Sequence, residues 1–285
     1  MESKEPPVYD QALVTYIDIL GFKDLISSSA KDPSKVGDIL NTLRIIAKKG
    51  RGLSYSETTL NGKVKLNVRT TNFSDLIVRA TFLYGVTFER LSEQLYYESG
   101  MLAAMQCELT AKHGVLVRGG ISFGDLYMDR EAIFGPALVD TYLLAEKLAI
   151  FPRIIVDPRI MKLVEEHASN FDELNDLWSI RPDDEGVFAI DYLQAAHAEY
   201  ALGSDVSAQL SHGFKSFDQL MFDHARTIRD KLRQIGEDNG RVRQKLVWLG
   251  NYHNLVVSGL KDEGCFEGGH ERLLIHPESL RIDRK

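Results

Sequence analysis

The sequence predicts an α+β fold. Short apolar runs rich in Val, Ile, Thr and Tyr mark strands. Between them lie longer stretches whose apolar residues recur every three or four positions, which marks amphipathic helices. The two kinds of segment interleave over residues 10–158, and beyond residue 158 the pattern becomes mainly helical.

Ala12–Ile19 is short and apolar, with Val14, Thr15, Tyr16 and Ile17 favouring extended backbone, so it reads as a buried strand. Phe22–Ser29 follows as a short helix. Asp32-Pro33-Ser34 is a break with an N-cap residue and a proline. Val36, Ile39, Leu40, Leu43, Ile46 and Ala47 then mark a helix to about Lys49. Gly50–Gly62 is a polar loop. Lys63–Thr71 alternates apolar and polar residues and Phe73–Thr81 is more apolar. They form a hairpin joined near Asn72, with the second strand the more central. Thr87–His113 is one long helix ended by Gly114. Val115–Phe123 is a strand, Gly124-Asp125 turns into a partner strand ending at Ile133-Phe134, Gly135-Pro136 opens a helix to Ile150, and Arg153–Val156 is a further strand. The first six elements have the ferredoxin-like βαββαβ order, in which the first and third strands are antiparallel neighbours.

After residue 158, Arg159–Ala168 and Asp172–Trp178 read as helices and Val187–Leu193 as a strand. Phe214, Phe217, Met221, His224, Ile228, Leu232 and Ile235 lie on one face of a long helix, and Val242–Leu260 forms its partner in a hairpin around Gly236–Gly240. The expected organisation is a disordered tail over 1–9, a main domain over 10–194 and a helical extension over 195–285.

The totals narrow the function. The 285 residues are 44% hydrophobic and 26% charged, as in an ordinary globular protein. A formal net charge of -7 argues against a nucleic-acid-coating protein, though not against a nucleotide carried with a divalent cation. The two cysteines, Cys107 and Cys265, have no metal-like spacing, which fits a reducing cytoplasm. No apolar run approaches the ~20 residues of a membrane span, and the polar start Met1–Pro7 lacks the apolar core of a signal peptide.

The chemistry centres on Tyr16-Ile17-Asp18-Ile19-Leu20-Gly21-Phe22. A strand ends in one carboxylate, then turns at a glycine into a helix. Such an acid is a hard oxygen ligand, and the turn at Gly21 and Phe22 offers backbone N–H groups to phosphate oxygens. The βαββαβ order sets the end of the first strand beside the start of the third, where Asp75 stands in Phe73-Ser74-Asp75. Two adjacent carboxylates repel unless a cation lies between them. Two Mg²⁺ or Mn²⁺ ions there can activate a hydroxyl and neutralise a triphosphate, which is phosphoryl-transfer chemistry. Taken singly, each acid is an ordinary cap or hairpin acid.

These residues resemble the class III nucleotidyl cyclases over about residues 10–158. Tyr16–Phe22 is similar to their first metal motif, and Phe73-Ser74-Asp75 falls at their second metal Asp. Gly120-Ile121-Ser122-Phe123-Gly124 and Ile133-Phe134-Gly135 resemble the Gly-Ile-x-x-Gly strand and Phe-Gly helix start. The wording of five motifs in order, ending with Pro152-Arg153-Ile154, is similar to the bacterial Pycsar pyrimidine nucleotide cyclases of anti-phage defence.

The resemblance implies that 10–194 is a catalytic domain in which Asp18, Asp75 and the Ile19 carbonyl hold two divalent cations. It further implies a head-to-tail homodimer with sites at the interface. The reaction it implies turns UTP, or CTP, into a 3′,5′-cyclic nucleotide and pyrophosphate, a messenger for a separate effector. The purine-reading Asp of the purine cyclases aligns with Ala132, which favours another base. Their transition-state Asn and Arg align with Val139 and Leu143. Arg118 is a candidate substitute at the triphosphate, or else a structural ion pair with an acid such as Asp125. Tyr55, in the polar loop, is a candidate base contact or an incidental exposed tyrosine. A purine cyclase and a catalytically inactive nucleotide-binding module are the alternatives.

Other features carry less. Gly119-Gly120 marks close backbone approach. His212, His224 and His253 fall on packing faces, and Arg226, Arg229, Arg233, Arg241 and Arg243 read as a solvated helix face.

Overall fold

The structure is a computed structural model, and it describes residues 8–51, 56–59, 62–65, 67–83, 88–167, 179–183, 185–202, 214–235, 240–261, 266 and 269–277. Tyr55, His212, the expected helix Asp172–Trp178 and most of the Gly236–Gly240 turn lie outside the described residues.

The α+β class is observed: a mixed eight-stranded sheet with helices. The strands are β1 (Asp10–Ile19), β4 (Asn67–Phe73), β5 (Leu76–Phe82), β6 (Val117–Met128), β7 (Ile133–Phe134), β8 (Ile154–Val156), β9 (Ile180–Pro182) and β10 (Phe188–Ile190). Their order is β4-β5-β1-β6-β8-β10-β9, with β7 paired to β6. β1 is antiparallel to both β5 and β6, and β6 is parallel to β8.

The helices are α1 (Phe22–Ser29), α2 (Lys35–Arg51), α3 (Phe88–His113), α4 (Pro136–Leu143), α5 (Pro158–His167), α6 (Tyr192–Leu202), α7 (Phe217–Gln234) and α8 (Gly240–Gly259). α4 runs on into a π-helical turn, Leu144–Leu148.

Four expected boundaries move. The polar loop contains a small hairpin, β2 (Ser56–Thr59) with β3 (Gly62–Lys65). The β4–β5 turn falls at Ser74-Asp75 and not near Asn72, because β4 keeps pairing through Phe73↔Leu76. β6 runs straight through Gly124-Asp125, since Gln11 and Asp10 of β1 continue the ladder opposite Asp125 and Leu126. The expected strand Val187–Leu193 is cut to β10, and Tyr192 already belongs to α6.

Both faces of β1 are covered. Leu13, Ile17 and Ile19 point into the main core, shared with Leu95, Leu102 and Leu109 of α3, Leu193 of α6, Ile228 of α7 and Leu249 of α8. Ala12 and Val14 point the other way, into a smaller cluster with Val78, Ala80, Phe82, Leu126 and Ala137. Each fully buried Leu or Ile contributes about 1.5–3 kcal/mol, so the main core dominates stability. Gly120 allows α4 to lie on the second face: a Cβ there would come within 2.6 Å of the Thr141 carbonyl oxygen. A Cβ on Gly119 would meet the Tyr16 carbonyl oxygen at 2.4 Å.

The basic face of the late helices is only partly solvated. Arg229 donates to the carbonyls of Arg272, Leu273 and Leu274, and Arg243 to that of Pro277. Both therefore clamp the chain that follows α8.

Candidate active site

Asp18 is the last but one residue of β1, opposite Leu76 of β5 and Arg118 of β6. Side chains alternate along a strand, so Asp18 shares the second face with Tyr16, under α4. Asp75 is in the two-residue turn that starts β5. Ser74, its other central residue, has φ 56, a left-handed conformation that is strained for a residue with a side chain. Positive φ at the first central position only is the pattern of a tight II′ hairpin. This turn sets Asp75 beside the end of β1.

Three influences act on Asp18. Burial raises its carboxyl above the ordinary value; Arg118, by hydrogen bond and charge, lowers it; Asp75, by charge and by hydrogen bond, raises it. The two acids are thus near enough to interact, and burial together with Asp75 outweighs what Arg118 offsets. The Arg118 Nε donates to Asp18 Oδ2 at 2.8 Å, and its other side grips Glu146 of the π-helical turn. The ion-pair partners of Arg118 are therefore Asp18 and Glu146, and not Asp125, which instead accepts from Gln11.

Tyr16 stands over this cluster in an edge contact with Tyr142, ring centroids 5.7 Å apart. Burial first, then the charges of Asp18 and Glu146, push its hydroxyl up to about 12, so it stays a neutral donor.

The β1–α1 turn is built on Gly21, whose φ of 83 is left-handed and whose side-chain position faces open space. Leu20 N–H is taken by the Leu116 carbonyl, and the Gly21 carbonyl accepts from Asp24 and Leu25. Phe22 anchors the helix start in the core. The N–H groups of Gly21, Phe22 and Lys23 have no partner among the described residues, and Ile19, Leu20, Gly21 and Asp24 line a cleft of about 610 Å³.

The structure thus brings together Asp18, Asp75, Ile19, Gly21, Phe22 and Arg118. Sequence reasoning placed Tyr16 in the motif without a role, and it did not find Glu146, Tyr142 or Lys245. Glu146 reaches Arg118 from the π-helical turn, for which the sequence has no local cue. Lys245 lies in a basic helix far along the chain, yet it is within electrostatic reach of Asp18, Asp24, Glu146 and Arg118.

Among the described residues, no group of three or more His, Cys, Asp and Glu forms a ready metal cage. The donor set is nevertheless one for hard cations: two carboxylates that repel, and a backbone carbonyl, all oxygen. Phosphate oxygens from a substrate would complete such a shell. Compared with known proteins, the chain matches no family model and no curated protein.

Proposed function

We propose that this chain is a divalent-metal-dependent nucleotide cyclase acting on UTP, or CTP, through a ferredoxin-like core of the class III cyclase kind. The observation that carries the reading is the pair Asp18 and Asp75, held together by antiparallel β1 and β5 beside a turn with unpartnered N–H groups. The strand order β4-β5-β1-β6, which is that of a βαββαβ core, supports it.

In this reading Asp18, Asp75 and the Ile19 carbonyl would hold Mg²⁺ or Mn²⁺. When bound, the ions supply charge that favours the 3′-alkoxide and neutralises the triphosphate. The Gly21, Phe22 and Lys23 N–H groups cradle phosphate oxygens. The 3′-oxygen bonds to the α-phosphorus, the bond to the bridging oxygen breaks, and pyrophosphate leaves with the charge while the hydroxyl proton goes to solvent. Arg118 exchanges its Asp18 contact for phosphate oxygen as charge develops there. Exposed Phe134, Val139, Tyr142 and Ile150 ring α4 and suit a second copy of the chain, which would complete the site as a homodimer. The cyclic product would be a messenger for a separate effector.

One observation favours a second reading. Arg118 occupies Asp18 as a cation would, which suits a nucleotide-binding module without turnover. Incubation with ATP, GTP, CTP and UTP plus Mn²⁺, with products identified by mass spectrometry, separates the possibilities. Cyclic UMP or CMP is expected. Cyclic AMP or GMP alone overturns the pyrimidine assignment, and no cyclic product from any of the four overturns the enzyme.

A further inference from the structure

At the edge of the sheet opposite to β4 and β5, the strands β10 and β9 and the start of β8 meet helix α8 around a cavity of about 320 Å³. That is room for a small molecule. None of its lining residues belongs to the Asp18–Asp75 cluster or to the β1–α1 turn. Trp248, Asn251, Tyr252 and Leu255 recur at three and four positions, so they form one stripe of α8 along the wall. Trp248 stacks on Phe151 with centroids 5.2 Å apart and an angle of 3° between planes. Tyr252 stacks on Trp248 at 5.9 Å. The aromatic wall is fixed by this packing, and Leu255 at its end is exposed.

Asp191 is the polar focus of the cavity. It caps α6: its backbone carbonyl accepts from Ala195, and its Oδ1 from the Gln194 N–H at 3.3 Å. The same Oδ1 accepts from the Tyr252 hydroxyl at 2.7 Å, and that hydroxyl accepts from the Leu193 N–H at 3.0 Å. Capping is complete with Oδ1 alone. Among the described residues Oδ2 accepts no hydrogen bond and Asp191 forms no ion pair; the charge of Arg181 reaches it only at a distance. Arg153, on the same lining, is engaged by Asp183, by Glu185 at 2.7 Å and by the Leu148 carbonyl at 3.1 Å. Asp183, Glu185 and Asp191 outnumber Arg153 and Arg181, so the wall is net negative. Burial raises the Asp191 carboxyl above its ordinary value by more than Tyr252, the Gln194 N–H and Arg181 lower it. A desolvated carboxylate with an open oxygen favours a ligand that brings positive charge, and aromatic faces beside it favour the same.

We propose that this cavity binds a small organic cation, a primary amine on a flat apolar body, with the ammonium group on Asp191 Oδ2 and the body along Trp248, Tyr252 and Leu255. It is a second site, and it stands or falls independently of the cyclase reading.

The test is calorimetric titration at neutral pH with phenethylamine and with its uncharged counterpart 2-phenylethanol. The proteins are the unaltered chain, Asp191→Asn, Leu255→Arg and Asp18→Asn, with melting temperature as the control for folding. Asparagine keeps an oxygen for the cap, and position 255 is exposed. The unaltered chain is expected to bind the amine at least about tenfold more tightly than the alcohol. Asp191→Asn should remove that preference. Leu255→Arg, which sets a competing cation at the exposed end of the cavity, should weaken the amine severalfold, and Asp18→Asn should leave it unchanged. No amine binding by the unaltered chain, equal affinity for amine and alcohol, or a preference that persists in Asp191→Asn overturns the inference. So does loss of the amine in Asp18→Asn, which would move it to the other acid cluster. If Asp191→Asn does not fold, Leu255→Arg decides, and unchanged amine affinity there overturns the inference.

Discussion

His224 with His253, and Asp18 with Asp75, are both contacts between like titratable side chains, and the molecule treats them in opposite ways. The histidines are fully buried, 3.0 Å apart through their Nδ1 atoms. The Leu273 carbonyl near His253 Nε2 can only accept, so that nitrogen carries the hydrogen and His253 Nδ1 accepts. His224 Nδ1 must then donate, and its Nε2 accepts from the Tyr192 hydroxyl at 2.7 Å. Every ring hydrogen is used once, and both rings are neutral because burial lowers them, His253 to about 4. A third cluster, Arg79 with Glu98, is closed in the same manner: two contacts of 3.0 Å and a hydroxyl from Thr15 at 2.8 Å. The aspartates are partly buried and near enough to interact, and among the described residues Arg118 is the cation that pairs with Asp18. Satisfied clusters hold the fold together; an unsatisfied one that solvent reaches is poised for a ligand.

Four measurements can break or sharpen this contrast. The largest effect is expected at the open cluster. Asp18→Asn and Asp75→Asn should each lower cyclisation by at least about 10³-fold, as loss of a metal ligand does, while the melting temperature stays near that of the unaltered protein. Turnover surviving in either variant removes the two-metal model. At the closed ion pair the effect moves to stability: Glu98→Ala leaves Arg79 buried and uncompensated and should cost about 3–5 kcal/mol in urea unfolding.

The histidine pair predicts a pH slope. A histidine whose folded value lies below its unfolded one takes up protons on unfolding, so stability is lost as pH falls through the window between them. For His253 that window runs from about 6.5 down to about 4, and the loss across it is about 3 kcal/mol. His224 shifts in the same direction and adds to it. Urea titrations from pH 7 to 4 should show this slope, and the double variant His224→Leu/His253→Leu should flatten it. The smallest effect belongs to the turn: Gly21→Ala meets no neighbour, so its cost is backbone conformation alone, about 1–2 kcal/mol in the same unfolding measurement.

Much of the fold was legible because its signals are local. Phe22–Ser29 reads as a helix and is one over the same residues. Apolar residues at three and four positions located α7, and the Gly135-Pro136 pair located the start of α4. What was misjudged depends on partners in space. Gly124 looked like a turn, but β1 holds β6 extended through it. Arg229 looked solvated, but it caps carbonyls some forty residues on, which no periodicity reports.

The site divides along the same line. By itself the sequence determined that a strand ends in Asp18 and breaks at Gly21, that an acid follows Phe73-Ser74, and that strands and helices interleave in an α+β fold, since apolar period and turn residues are local properties of the chain. Only the tertiary structure decided that Arg118 pairs with Asp18, that a π-helical turn brings Glu146 to it, and that α8 carries Lys245 within electrostatic reach of them. Those contacts are made by side chains dozens to hundreds of residues apart, and they depend on the close approach at Gly119 and Gly120 and on the Phe151–Trp248 stack. Distances of that kind are set by packing, and packing is a property of the folded whole.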